Sequence, residues 1–336
     1  MSLRPRGAWR IVFALLLVLA GCTAEEPAPA PTPAPEPSVA ATGPSGVRAG
    51  IVLPPAGDAS DPQLAQITAA MRPLQAALPD LVTQLRPITP DGPEFVGDVA
   101  RLLVDRGTDL VCVVGSDGVR VTNQLAARHP ELRFCAVPTG GNEVPDNVRI
   151  VDVRLEELGH VVGVAAAEAA GDAPVALVLA PDRLGYQRFR DGLRAGAGDT
   201  ELLEAYPKSS EEAQAAVAAA IDEGAEVLVL DVGWRPAELL EVAQDAGLAL
   251  AAPLPALAGD RLQAATVLAW SVRWELALGP VVQRLADDDV EVPDAVGLAD
   301  EAFVLTPGPQ GARGPLDRAV AELRDGDRQA VPPREE

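Results

Sequence analysis

Across 336 residues, 49 Asp and Glu stand against 27 Lys and Arg, a formal charge of −22 at pH 7. That balance, with no Lys/Arg-rich stretch beyond the first ten residues, argues against nucleic acid as a partner and against a polybasic membrane contact. Three cysteines and two isolated histidines, without HExxH or CxxC spacing, argue against a disulfide scaffold and a metal site; His129 and His160 read as ordinary surface residues.

The chain opens with Arg4, Arg6 and Arg10 ahead of an apolar run from Ile11 to Ala20. The run is too short for a transmembrane helix of roughly 20 residues but suits a signal-peptide core. It closes on Leu19-Ala20-Gly21-Cys22, which resembles the lipobox of bacterial lipoproteins. That resemblance implies a signal peptide over residues 1–21 and a diacylglycerol on the Cys22 thiol, an anchor stable when two or more acyl chains insert. Residues 22–46 hold the cysteine and a Pro/Ala-rich stretch with almost no large apolar side chain, so they read as an extended tether, partly polyproline II.

Beyond the tether, short apolar runs alternate with Ala- and Leu-rich amphipathic stretches, and most runs lack period-2 alternation. Strands are expected at 48–53, 81–88, 109–114, 132–137, 147–153, 175–180, 202–207, 227–232 and 248–253. Helices are expected at 62–77, 94–106, 118–128, 155–170, 183–196, 210–223, 236–246 and 272–286. The pattern is α/β, with buried parallel strands in two doubly wound lobes. Cys112 and Cys135 fall inside apolar runs and read as core thiols, though on neighbouring strands they could pair. In such sheets ligands sit beyond the carboxyl ends of the strands, which directs attention to "PPAGDASD", "GSDG", "APDRLGY", "DVGWRP" and "APLPALAGD".

The collinear series "DVARLLVDRGTDLVCVVGSDG", "RHPELRFCAV", "DNVRIVDVRLEELGHVVGVAAAEAAG", "RFRDGLRAGA" and "IDEGAEVLVLDVGW" resembles the basic membrane protein (PnrA-like) family of ABC-transporter receptors. "DRAVAELRDGDRQAVP" is similar to that family's closing helix and short strand. The resemblance spans residues 47–332 and implies a lipoprotein with a type I periplasmic-binding-protein fold. Its two hinged lobes would close over a small ligand, a purine nucleoside in characterised members. Crossings are expected near 152, 253 and 290, giving lobe one as 47–151 plus 253–289 and lobe two as 152–252 plus 290–332.

At the ligand positions this chain departs from the family. Where the family carries Asp-x-x-Phe-Asn after the first strand, this sequence has Asp61-Pro62-Gln63-Leu64-Ala65: the acid is kept and the stacking ring is not. Ser116 and Asp117 stand where a second aromatic is expected, either meeting a ligand at a helix N-terminus or capping that helix. Pro253 replaces an acidic ribose contact, and Arg273 aligns with a lysine that reaches into the cleft. Trp234 either stacks on a planar ligand at the cleft mouth or packs under its loop. Asp231 either orients a polar ligand or caps the helix beginning near Pro236. Arg183 and Tyr186 lie in the same region and read as solvated surface; Trp270 and Trp274, four apart, read as packing residues.

No P-loop, GxSxG, paired-histidine or GxGxxG arrangement occurs, and no carboxylate spacing assigns acid and base roles, so the chain reads as a non-enzyme without a cofactor. The expected protein is an extracytoplasmic, lipid-anchored binding protein at the cell membrane, partnered by ABC permease and ATPase subunits. Its ligand would be small and polar, a modified nucleoside or another planar metabolite. The competing reading is a ligand sensor or envelope interaction module on a degenerate binding-protein fold.

Overall fold

The computed structural model describes residues 47–55, 61–77, 82–115, 118–137, 144–150, 152–257, 259–286, 295–326 and 329–331. The signal segment, Cys22 and the tether lie outside the described residues, as do Ser116 and Asp117. No helix among the described residues is long and apolar enough to cross a membrane.

The first lobe is built on β1 (Val47–Val52), β2 (Val82–Ile88), β3 (Leu110–Val114), β4 (Arg133–Val137) and β5 (Val148–Ile150), with helices α1 (Pro62–Ala77), α2 (Val96–Asp105) and α3 (Gly118–Ala126). The strands are parallel in the order β2-β1-β3-β4-β5. Both faces are covered, which is why every residue of β3 is buried and apolar. Val52, Val111, Val113, Phe134 and Val148 pack with the helices on one face. Ile51, Cys112, Val114, Cys135 and Val137 point to the other, joining α1 in the central core.

Cys112 and Cys135 are register partners on β3 and β4, 4.3 Å apart at Cα, and they form a disulfide. This corrects the reading of free core thiols. Parallel pairing brought together two residues 23 positions apart in sequence, both almost fully buried.

The chain crosses through β6 (Asp152–Val153) into α4 (Leu155–Ala170), β7 (Val175–Leu179), α5 (Tyr186–Ala197), β8 (Leu202–Ala205), α6 (Ser210–Asp222), β9 (Val227–Asp231), α7 (Pro236–Asp245) and β10 (Ala249–Pro253). The short α8 (Asp260–Ala264) and β11 (Thr266–Val272) follow, then α9 (Trp274–Ala286), β12 (Ala295–Val296), β13 (Phe303–Pro307) and α10 (Arg313–Arg324). The second sheet runs β13-β11-β10-β9-β7-β8, parallel except for β13, which lies antiparallel on β11.

The span 253–289, expected in lobe one, is therefore divided. β11 pairs with β10 in the second sheet, and α9 returns to pack on α1 and β4 of the first. The physical reason is that "TVLAWSV" is apolar enough to be buried on both faces between β10 and β13. The crossing strands β6 and β12 pair with each other, and Glu157 pins them by accepting from Leu298 N at 2.7 Å. Arg188 on α5 reaches the same crossing through ion pairs with Asp152 and Glu156.

Helices α4 and α5 meet backbone to backbone. Gly159 and Gly163 on α4 face Phe189 and Leu193, and Gly192 and Gly196 on α5 face Glu156 and His160. Small residues four apart remove the side-chain layer, so the two helices approach as closely as their main chains allow. His160 is 1% exposed, with Nδ1 3.2 Å from the Ala330 carbonyl oxygen. It is a core residue, not the surface histidine expected, because a helix that buries one face against α5 and another against α10 has little exposed surface left.

Candidate ligand cleft between the lobes

The loops after β7, β9 and β10 and the start of α1 converge where the two lobes meet. Asp61 caps α1: its Oδ1 accepts from Gln63 N at 2.9 Å and Leu64 N at 3.1 Å, satisfying two of the helix's free amides. Its Oδ2 is left for Arg183, whose Nη1 donates at 2.8 Å. Arg183 sits in a turn after β7, closed by Arg183 N donating to Ala180 O and by the left-handed Gly185. Its Nε donates to Asp231 Oδ1 at 3.3 Å, at the end of β9. One guanidinium thus joins a carboxylate of lobe one to a carboxylate of its own lobe. Arg183 and Asp61 side chains are 6% and 5% exposed, and among the described residues Nη2 of Arg183 has no hydrogen-bond partner.

The electrostatics follow from one cation serving two anions. Burial works against the charge on Arg183, but the combined attraction of Asp231 and Asp61 outweighs it and raises the pKa. Burial also pushes the Asp231 carboxyl up; Arg183 only partly offsets it, and Asp61 and Asp182 add repulsion.

Two glutamines of α1 extend the contact. Gln63 accepts from Leu184 N at 3.2 Å and donates to Leu184 O at 3.4 Å. Gln66 accepts from Val272 N at 2.9 Å and donates to Trp270 O at 3.5 Å. Beneath them lies a cavity of about 30 Å³ whose walls include Asp231, Pro253, Phe189, Trp270 and Trp274. That is room for roughly two waters. Trp274 is fully buried, and its Nε1 has no partner among the described residues.

The expected site residues are thus distributed unevenly. Asp61 and Asp231 are brought together, and Pro253 lines the cavity. Asp231 does not cap α7, whose N-cap is Arg235. Trp234 is half-buried and packs against the outer core of lobe two. Arg273 pairs with Glu275 at 3.1 Å and lies 3.9 Å from Glu301, with 38% of its side chain exposed. Ser116 and Asp117 lie outside the described residues.

The residue that sequence reasoning missed is Arg183, read as solvated surface and found buried at the centre. The available signal was its place in a loop at the carboxyl end of a buried strand; its partner Asp61 is 122 positions away. Tyr186, likewise read as surface, lines the cavity and packs edge-on against Tyr206 with ring centroids 5.8 Å apart.

No family model and no curated protein matches the chain. Solved structures do. An ABC transporter solute-binding protein from Conexibacter woesei has a TM-score of 0.65 at 20% identity, covering 84% of this chain and 98% of its own. A transcriptional activator of the comK gene from Bacillus halodurans gives 0.65 at 14%, covering 84% and 99%. An ABC transporter periplasmic solute-binding protein from Actinobacillus succinogenes with bound D-allose gives 0.60 at 10%, covering 78% and 97%. The chain has the two-lobed type I periplasmic-binding-protein fold, with lobes linked by the crossings at β6, β11–α9 and β12.

Proposed function

We propose that this protein is an extracytoplasmic solute-binding lipoprotein of an ABC transporter, anchored through Cys22 and similar to the basic membrane protein family. The observation that supports this best is the buried Asp61–Arg183–Asp231 triad, set where the carboxyl ends of the strands of both lobes face each other. When the lobes part, the Arg183–Asp231 pair stays within lobe two and the Arg183–Asp61 bond breaks. A group inserted there must accept from Arg183 and donate to Asp61.

Hydroxyls and carboxamides do both, whereas an anion would face two carboxylates with one guanidinium between them. The solute is therefore a small, neutral, hydroxyl-bearing molecule, and the D-allose bound by the Actinobacillus succinogenes protein has that chemistry. A nucleoside also has hydroxyls, but Leu64 offers no ring for its base and Pro253 no carboxylate for its ribose. Permease and ATPase subunits would recognise the closed form.

The second reading, a sensor or envelope module on the same fold, is favoured by one feature. Gln63 and Gln66 mate with the opposite lobe so fully that only about 30 Å³ remains between them.

The deciding experiment is mass spectrometry of solute retained by the purified protein, followed by tryptophan-fluorescence titration with neutral sugars, polyols and purine nucleosides. Micromolar binding of a sugar or polyol, lost in Arg183→Ala, supports the receptor reading. Binding of purine nucleosides alone, unaffected by Arg183→Ala, would overturn the neutral-polyol assignment. Absence of any solute, with no growth defect on single carbon sources, would favour the sensor. The anchor is tested separately: Cys22→Ala should abolish incorporation of labelled fatty acid and release the protein from the membrane fraction.

A further inference from the structure

We infer that the Asp61 and Asp231 carboxylates form a guanidinium site filled by the chain's own Arg183, and that this internal ion triad, together with Gln63 and Gln66, is a latch that holds the two lobes closed. The inference concerns regulation of the cleft just described, but it needs no solute and stands apart from whether one binds.

The two lobes are self-complementary where α1 meets lobe two. Among the described residues, α1 and its cap meet lobe two through five polar bonds: Asp61 with Arg183, Gln63 with both backbone groups of Leu184, and Gln66 with Val272 N and Trp270 O. These five bonds come from one helix end, so they form or break together as the lobes move. Their removal is unequal in cost. Without the guanidinium, two carboxylates would face each other across a buried cleft, which favours separation of the lobes.

Arg183 is therefore the central member, and the glutamines add geometry. The latch imposes a tax on solute affinity, because any solute that enters must first break these bonds.

The latch makes a chemical-rescue prediction. In Arg183→Ala the cation is removed and its two carboxylates remain, so a small planar cation of the same shape should restore closure. The readout is hydrogen exchange of the Leu184 and Val272 amides in the full-length protein in mild detergent, since Gln63 and Gln66 protect those amides only when the lobes are closed. Arg183→Ala is expected to speed exchange at both amides at least about tenfold and to lower the melting temperature by several degrees. Millimolar N-ethylguanidinium should reverse both changes in the variant and leave the wild type unaltered, while ethylammonium, which lacks the planar fork, should do so less well.

Unchanged exchange in Arg183→Ala, or equal effects of N-ethylguanidinium on variant and wild type, would overturn the latch. If Arg183→Ala does not accumulate as folded protein, Asp61→Asn takes its place. It keeps an oxygen to cap α1 but removes the lobe-one charge, and it must show the same faster exchange for the latch to stand. A working latch in a protein that binds no solute would leave this inference intact and remove the receptor reading; solute binding without exchange changes would do the reverse.

Discussion

Gly192 on α5 lies so close to Glu156 on α4 that a methyl group on Gly192 would sit 2.0 Å from the Glu156 carbonyl oxygen. The relation is reciprocal along the helix pair: a methyl on Gly159 would meet Phe189 O at 2.0 Å, one on Gly163 Leu193 O at 2.2 Å, and one on Gly196 His160 O at 2.0 Å. The obstacle in each case is main chain, which cannot rotate aside. The α4–α5 pair underlies lobe two and carries Arg188 and Glu157, which hold the crossing strands.

Gly159→Ala and Gly192→Ala are expected to destabilise the protein by about 3 kcal/mol or more, because the helices must separate to admit each methyl. Gly97→Ala is the control. Gly97 is in α2 with nothing within 4 Å of its added carbon, and there the helix preference for Ala should give a gain of roughly 0.5 to 1 kcal/mol. Urea denaturation of the three variants checks both signs. A Gly192→Ala variant as stable as wild type would show that α4 and α5 are not in backbone contact.

The Cys112–Cys135 bridge closes a loop of 23 residues inside the first sheet, and both residues are buried. Replacing both with Ala is expected to lower stability by about 3 kcal/mol in the loop-closure account. The bridge should resist reductant in the native protein and yield to it once urea opens lobe one. Alkylation in denaturant without reductant should leave both cysteines unlabelled. Labelling of either would sink the assignment and return them to core thiols.

Tyr206 is pushed up to about 12, by burial first and then by its hydrogen bond to Glu204, a carboxylate also paired with Arg194. The sign for stability follows from the folded value lying above the unfolded one. The contribution of the neutral phenol is whole below about 10 and is lost as pH rises through about 12. With only two tyrosines in the chain, tyrosinate absorbance should show a late step near 12 that disappears in Tyr206→Phe. A complete titration by about 10.5 would refute the Glu204 contact.

The periodicity of the sequence was sufficient for elements that are local. The helices at 62–77 and 155–170 have the bounds the pattern implies, and most of the nine apolar runs lack alternation, the pattern of strands covered on both faces. The family resemblance pointed to Asp61, and the place of Asp231 at the end of a buried strand marked it as a polar contact or a cap.

What only the tertiary structure decided are relations between distant positions. β11 lies in an apolar run outside the nine expected strands, and nothing local says which sheet it joins; that depends on β13, more than thirty residues later, lying antiparallel on it. Parallel register set Cys112 opposite Cys135, and glycines that look permissive in sequence turn out to be contact points because α4 and α5 lie against each other. Arg183 is the clearest case. An arginine in a loop is solvated unless two carboxylates are delivered to it, and one of those comes from the other lobe, so its burial is a property of the assembled cleft and not of the residues around it in the chain.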